Sequence, residues 1–107
     1  MTEPVKLLLI FVNEADHRDE EPLYQAIVHR LRQLNVSGAT AQTGILGFGR
    51  HMRVHRKGLF GVADDRPVTI CAVDHEASIR AALPVVRELV DEGLILLLDA
   101  ELVADKP

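Results

Sequence analysis

This chain has no tryptophan, one tyrosine and three phenylalanines in 107 residues. With aromatics at 4% it has no stacking platform for single-stranded nucleic acid. Its one cysteine, Cys71, excludes an intrachain disulfide. Cys71 lies in the run Val68-Thr69-Ile70-Cys71-Ala72-Val73, with no flanking residue to activate a thiol, and it reads as core packing. No apolar run reaches the ~20 residues of a membrane-spanning helix. The first residues lack the basic stretch, apolar stretch and small-residue cleavage site of a secretory signal. The expected location is the cytoplasm.

What is present is aliphatic. Hydrophobic residues make up 48% of the chain, so the core is expected from Leu, Val, Ile and Ala. The length suits one domain over residues 1–107. It is small enough that self-association would help bury apolar surface. The net charge is −4 at pH 7, yet residues 50–57 carry Arg50, Arg53, Arg56 and Lys57 with no acid among them. An acidic body with one basic segment disfavours nonspecific binding to nucleic acid and fits a discrete anion site.

The spacing predicts two βαβ halves. Residues 5–12 form an apolar run, read as a strand buried on both faces. Residues 13–21 are polar and acidic, a loop. Pro22 suits the first turn of a helix, and Leu23, Tyr24, Ile27, Val28, Leu31 and Leu34 recur at helical spacing. Asp19, Glu20 and Glu21 complement the positive end of that helix, Arg30 and Arg32 its negative end, and Asn35 stops it. A second strand is expected over residues 38–46, a long connection over 47–66 and a third strand over 68–73. Asp74 is the expected N-cap of a second helix, with Glu76 in its first turn. Ile79, Ala82, Leu83, Val86, Leu89 and Val90 form its apolar stripe. Pro84 should kink this helix at a cost of ~3 kcal/mol, but the stripe continues through it. Gly93 ends the helix, and residues 94–98, extended to 103, form the last strand. The order βαββαβ with right-handed crossovers gives a ferredoxin-like α+β sandwich: a four-stranded antiparallel sheet with two helices on one face. The other face has no helix to cover it, and strands one and four are apolar on both sides, so other subunits are expected there.

Function is concentrated between Gly38 and Lys57. Gly44, Gly47 and Gly49 close a strand that runs straight into the basic segment. Glycines let backbone N–H groups face a ligand and let a bulky anion approach. Arg holds phosphate through two-pronged hydrogen bonds. The pattern points to a phosphate-bearing ligand, above all a nucleotide, with Arg50, His51 and Arg53 neutralising phosphate and His55 beside them. The plain alternative is a solvated hairpin loop. The glycines are not a Walker sequence, since the Lys-Ser/Thr ending is absent, nor a dinucleotide fingerprint, since no helix follows at once. His51 and His55, or Asp16, His17 and Asp19, could instead bind a metal ion, giving a metal- or ion-responsive trimer as the alternative function. Four cations around the first pair argue against a divalent ion there. Asp64-Asp65 reads as a turn, and Ser37 and Ser78 have no His and Asp partners in a nucleophilic motif. No constellation requires an enzyme.

Several segments resemble one family. Pro22-Leu23-Tyr24-Gln25-Ala26-Ile27-Val28 is similar to the first helix of the PII-like family called domain of unknown function 190. Gly38-Ala39-Thr40 and Gly44-Ile45-Leu46-Gly47-Phe48-Gly49 resemble its strand-to-loop signature, and Arg66-Pro67-Val68 with Val73-Asp74 its third strand and helix entry. Leu83-Pro84-Val85-Val86 and Glu92-Gly93-Leu94-Ile95 resemble its second helix and last strand, which makes Pro84 a family trait. The resemblance runs from about residue 5 to residue 103. It implies a ferredoxin-like protomer and a homotrimer in the manner of PII signalling proteins, which bind adenine nucleotides between subunits. ATP, ADP or AMP is then the expected ligand. The loop after strand two, the T-loop, would report the bound state to a partner, for which the resemblance suggests a membrane transporter.

Overall fold

The computed structural model describes residues 1–48 and 66–106. Strand β1 (Thr2–Asn13) is followed by a two-residue ladder of β2 (His17–Arg18) and β3 (Glu21–Pro22), then helix α1 (Leu23–Gln33) and strand β4 (Gly38–Thr43). Strand β5 (Pro67–Asp74), helix α2 (Glu76–Leu89) and strand β6 (Leu94–Val103) complete the order. The main sheet has four strands in the order β4-β5-β1-β6, and every pairing is antiparallel. The expected ferredoxin-like α+β sandwich is the observed fold.

Alternation along the strands builds the core. Leu8, Ile10 and Val12 of β1 and Val68, Ile70 and Ala72 of β5 point to the helix side and are buried. Leu23, Ile27 and Leu31 of α1 and Ile79, Ala82 and Val86 of α2 cover them. Each large aliphatic side chain so buried contributes about 1.5–3 kcal/mol. Among the described residues no polar or charged side chain is buried. The opposite side chains, Leu7, Leu9 and Phe11, are only half-buried, and Leu94, Leu96 and Leu98 beside them on β6 are 40%, 39% and 41% exposed. Nothing among the described residues covers this leucine-rich face.

The helices stop where their ends find partners. Leu34 caps α1, and Asn35 takes the left-handed conformation at φ 62°. Asn35 N–H donates to Arg32 O at 3.0 Å and Val36 N–H to Leu31 O at 3.1 Å, a Schellman ending. Asn35 is thus the expected stop. Helix α2 runs through Pro84 as one helix.

Several expectations are corrected. The polar stretch before α1 is not all loop: Asp19, at φ 58°, closes the β2–β3 turn. Pro22 is the N-cap of α1 rather than its first helical residue, and the first turn holds no acid. Strand β4 ends at Thr43, because beyond the Thr43–Val68 pair the next partner is Pro67, which has no N–H to return. The N-cap of α2 is His75, since the Asp74 carboxylate is taken by the N–H groups of Ser37 at 3.0 Å and His75 at 2.7 Å. Helix α2 ends at Leu89 with Val90 as its cap, three residues before Gly93. Gly93 serves close packing instead: a Cβ there would lie 2.7 Å from Phe11 O and 2.8 Å from Val90 Cγ1. Cys71 is not in the core. It pairs with Leu9 and Thr40 and, out of phase with buried Ile70 and Ala72, stands half-buried on the helix-free face.

Candidate ligand site

The end of β4 and the start of β5 form the mouth of the long connection. Gly44 N–H donates to Pro67 O at 2.6 Å, and Glu14 N–H to Arg66 O at 2.7 Å, so both strands of the mouth are pinned. Gly44 and Gly47 both lie against the Pro67 ring. A Cβ added at Gly44 would stand 2.9 Å from Pro67 Cγ, and one at Gly47 3.2 Å from it. These two glycines have a packing reason of their own, and the Gly44 N–H already has a partner within the chain. Between and beyond them Ile45, Leu46 and Phe48 are 96%, 92% and 81% exposed, three large apolar side chains in water at the mouth.

Gly44 and Gly47 are therefore brought together at one point. The other expected site residues, Gly49, Arg50, His51, Arg53 and His55, lie outside the described residues. So do Asp64 and Asp65. Sequence reasoning passed over Pro67 as a wall of the site and over the exposed Ile45, Leu46 and Phe48. The signal was available: apolar residues between closely spaced glycines, followed by a proline where the chain returns.

Asp16 and His17 do not form a metal centre with Asp19. The Asp16 carboxylate accepts the Asn13 N–H at 3.0 Å, and His17 Nδ1 lies 2.7 Å from Ala15 O. No group of three or more His, Cys, Asp or Glu side chains suited to a metal occurs among the described residues. A groove of about 460 Å³ crosses Ala26, His29, Arg30 and Leu89 between the two helices. Its rim mixes Arg18 and Arg30 with Asp19, Glu20 and Glu21, and His29 Nδ1 is 2.9 Å from the Glu21 carboxylate. That mixture gives no one-signed field for an anion.

At the far end of the sheet from the mouth, charges pair off. Lys6 bonds Asp99, whose carboxyl is held below its ordinary range by that hydrogen bond and charge. Arg80 Nε donates to Glu76 at 2.7 Å; this bond, with the charge of Lys6, lowers the Glu76 pKa. His75 Nε2 bonds Glu3, and that bond, then the charge of Glu3, raises the imidazole pKa. Lys6–Asp99 joins β1 to β6 and Glu3–His75 joins β1 to the start of α2, whereas Arg80–Glu76 lies within α2.

A four-stranded antiparallel sheet backed by two helices, with a long connection from the edge strand β4 to its neighbour β5, is the architecture of PII-like proteins. CPII from Thiomonas intermedia K12, in a structure bound to ADP, AMP and bicarbonate, superposes with a TM-score of 0.72 at 20% identity over 95% of this chain and 91% of that one. CutA1 from Pyrococcus horikoshii matches with a TM-score of 0.55 at 14% identity over 92% and 87%. Both are likenesses of fold. Residues 5–102 match the profile of the family DUF190, described as Uncharacterized ACR, and the chain belongs to that family. In sequence it is 35% identical over 95 residues to a UPF0166 protein of Methanocaldococcus jannaschii, covering 88% of this chain and 87% of the relative. It is 30% identical over 98 residues to a UPF0166 protein of Aquifex aeolicus, with 92% of each covered. No described helix is long and apolar enough to cross a membrane.

Proposed function

We propose that this chain is a PII-like regulator that binds an adenine nucleotide, ATP, ADP or AMP, at the mouth of the long connection between copies in a homotrimer. The observation that carries the proposal is the likeness of nearly the whole chain to CPII, which was crystallised with ADP and AMP. The open leucine face supports assembly, because copies packed face to face would remove Leu94, Leu96 and Leu98 from water. Gly44 and Gly47 set the course of the chain against Pro67. Gly47 and Gly49 would then offer N–H groups, and Arg50, His51, Arg53 and His55 would meet the phosphates. Binding would order the connection, and the ordered connection would engage a partner, a membrane transporter reached from the cytoplasm, by an order–disorder switch. The protein would bind and report rather than turn its ligand over.

The test is calorimetric titration of the full chain with ATP, ADP, AMP and cyclic AMP, at low salt, with and without magnesium. The expected result is one nucleotide per subunit. Arg50→Ala and Arg53→Ala should each weaken binding about tenfold or more, the loss of a charge-assisted hydrogen bond of about 1.5–3 kcal/mol, without changing assembly. Unchanged affinity in both variants would remove these residues from the site. No binding by any nucleotide would leave the mouth as a protein-docking element.

A further inference from the structure

β1 and β6 run past the rest of the sheet. β5 stops at Asp74, opposite Lys6, so residues 2–5 of β1 pair with β6 alone. The pairing Thr2–Val103 and the bond from Ala104 N–H to Met1 O at 2.9 Å carry this ribbon to its tip. The ribbon holds apolar side chains in water: Leu102 is 48% exposed and Val103 70%. On the β5 side, where a strand would otherwise hold it, Val5 is buried at the base of the ribbon, and beyond Val5 a side-chain pair joins Glu3 on the ribbon to His75 at the N-cap of α2.

We propose that His75 is a protonation-dependent latch, which in its charged form holds the β1–β6 ribbon against the start of α2 and in its neutral form lets the ribbon loosen. The charges around it set the direction. From β1 it faces the Glu3 carboxylate, and from the end of β5 the Asp74 carboxylate, 3.4 Å from Nδ1. From its own helix come Glu76 and Arg80, paired with each other, and from the sheet Lys6 and Asp99, likewise paired. The two carboxylates without a basic partner of their own in these pairs therefore act on His75. The positive end of α2 opposes a cation at the N-cap. The carboxylates win: the hydrogen bond and charge of Glu3, with Asp74, raise the His75 pKa above its ordinary 6.5. A raised pKa in the folded state means that the contact contributes fully below the imidazole's unfolded pKa. The contribution is lost as pH rises through the folded value. Asp74 cannot follow freely, because it also holds the N–H groups of Ser37 and His75. The moving parts are then His75, Glu3 and the ribbon.

The experiment is an NMR titration of the full-length protein from about pH 5 to about pH 8, with amide hydrogen exchange at both ends of that range. The His75 imidazole of the unaltered protein should titrate above its ordinary value, and Glu3→Gln should move the midpoint back towards it. The Ala104 amide reports the ribbon directly. After correction for intrinsic exchange, its protection should fall by a factor of about two to five as pH rises, the scale of an exposed charge pair. That fall should vanish in both Glu3→Gln and His75→Gln, while the amides of buried Ile10 and Ile70 keep their protection throughout. A His75 that titrates at or below its ordinary value would overturn the latch. So would an Ala104 pH response that survives in both variants.

Discussion

Replacing Leu96 by Asp tests what the open face is for. Leu96 lies at the middle of β6 with Leu94 and Leu98 on either side, and the three are 39–41% exposed. A leucine taken fully from water is worth about 1.5–3 kcal/mol, so covering the remaining part of each yields about 0.6–1.2 kcal/mol, or about 2–4 kcal/mol per copy. Aspartate in the centre of this patch forfeits one leucine's share and must lose its hydration if copies are to meet. Several such carboxylates facing one another repel as well. A penalty of at least about 3 kcal/mol weakens association by a factor of about 100 or more. Sedimentation equilibrium should show the unaltered protein at three times the 11.8 kDa of one chain and the variant at one. Because the site faces away from the α1–α2 core, far-UV circular dichroism should change little. Leu34→Asp, at the exposed end of α1 on the helix side, is the control and should keep the mass of the unaltered protein. If the unaltered protein is a monomer, or Leu96→Asp assembles as well as Leu34→Asp, the open face does not drive assembly.

Three further outcomes follow from particular contacts. Gly44→Ala brings a methyl within 2.9 Å of Pro67 Cγ, and Gly47→Ala within 3.2 Å. The first should destabilise by about 1–3 kcal/mol in urea unfolding, the second by less, and Pro67→Ala should rescue both. Gly93→Ala meets the backbone oxygen of Phe11 at 2.7 Å, which cannot swing aside, so it should cost at least as much as Gly44→Ala with no single-site rescue. Pro84→Ala removes an exposed proline from inside α2 and restores the hydrogen bond to Arg80 O. It should raise the midpoint of thermal unfolding, with a gain in stability of about 2 kcal/mol once the greater entropy of the unfolded chain is subtracted from the ~3 kcal/mol helix penalty.

The fold was legible where apolar spacing meets a single partner. Helices α1 and α2 show their stripes at 3.6-residue period, and β1, β5 and β6 contain aliphatic runs without that period. What was not legible depends on residues distant in sequence. Ile45 and Leu46 look like strand residues, but their strand ends because its partner opposite is Pro67. Cys71 sits in an unbroken apolar run, where composition cannot say which side chains face inward. Only its register with Leu9 does so, and one step of register would reverse every face. Asp74 is a good capping residue by type, yet Ser37 had already claimed its carboxylate.

The candidate site shows the same division, with a consequence for its testing. Closely spaced glycines before a basic segment look alike whether the space is left for a ligand or for a neighbouring ring, and at Gly44 and Gly47 the ring of Pro67 is sufficient cause. A lost affinity in Gly44→Ala or Gly47→Ala would therefore not identify a phosphate cradle, since the same substitution displaces the mouth of the connection. Arg50 and Arg53 are not subject to that objection in kind. An arginine-to-alanine change acts on an anion through charge and two-pronged hydrogen bonds, and its effect should shrink as salt rises, whereas a displaced proline ring is indifferent to ionic strength. Salt dependence of the Arg50→Ala and Arg53→Ala deficits, set against the salt independence expected for the glycine variants, is what separates a ligand site from a well-packed loop mouth.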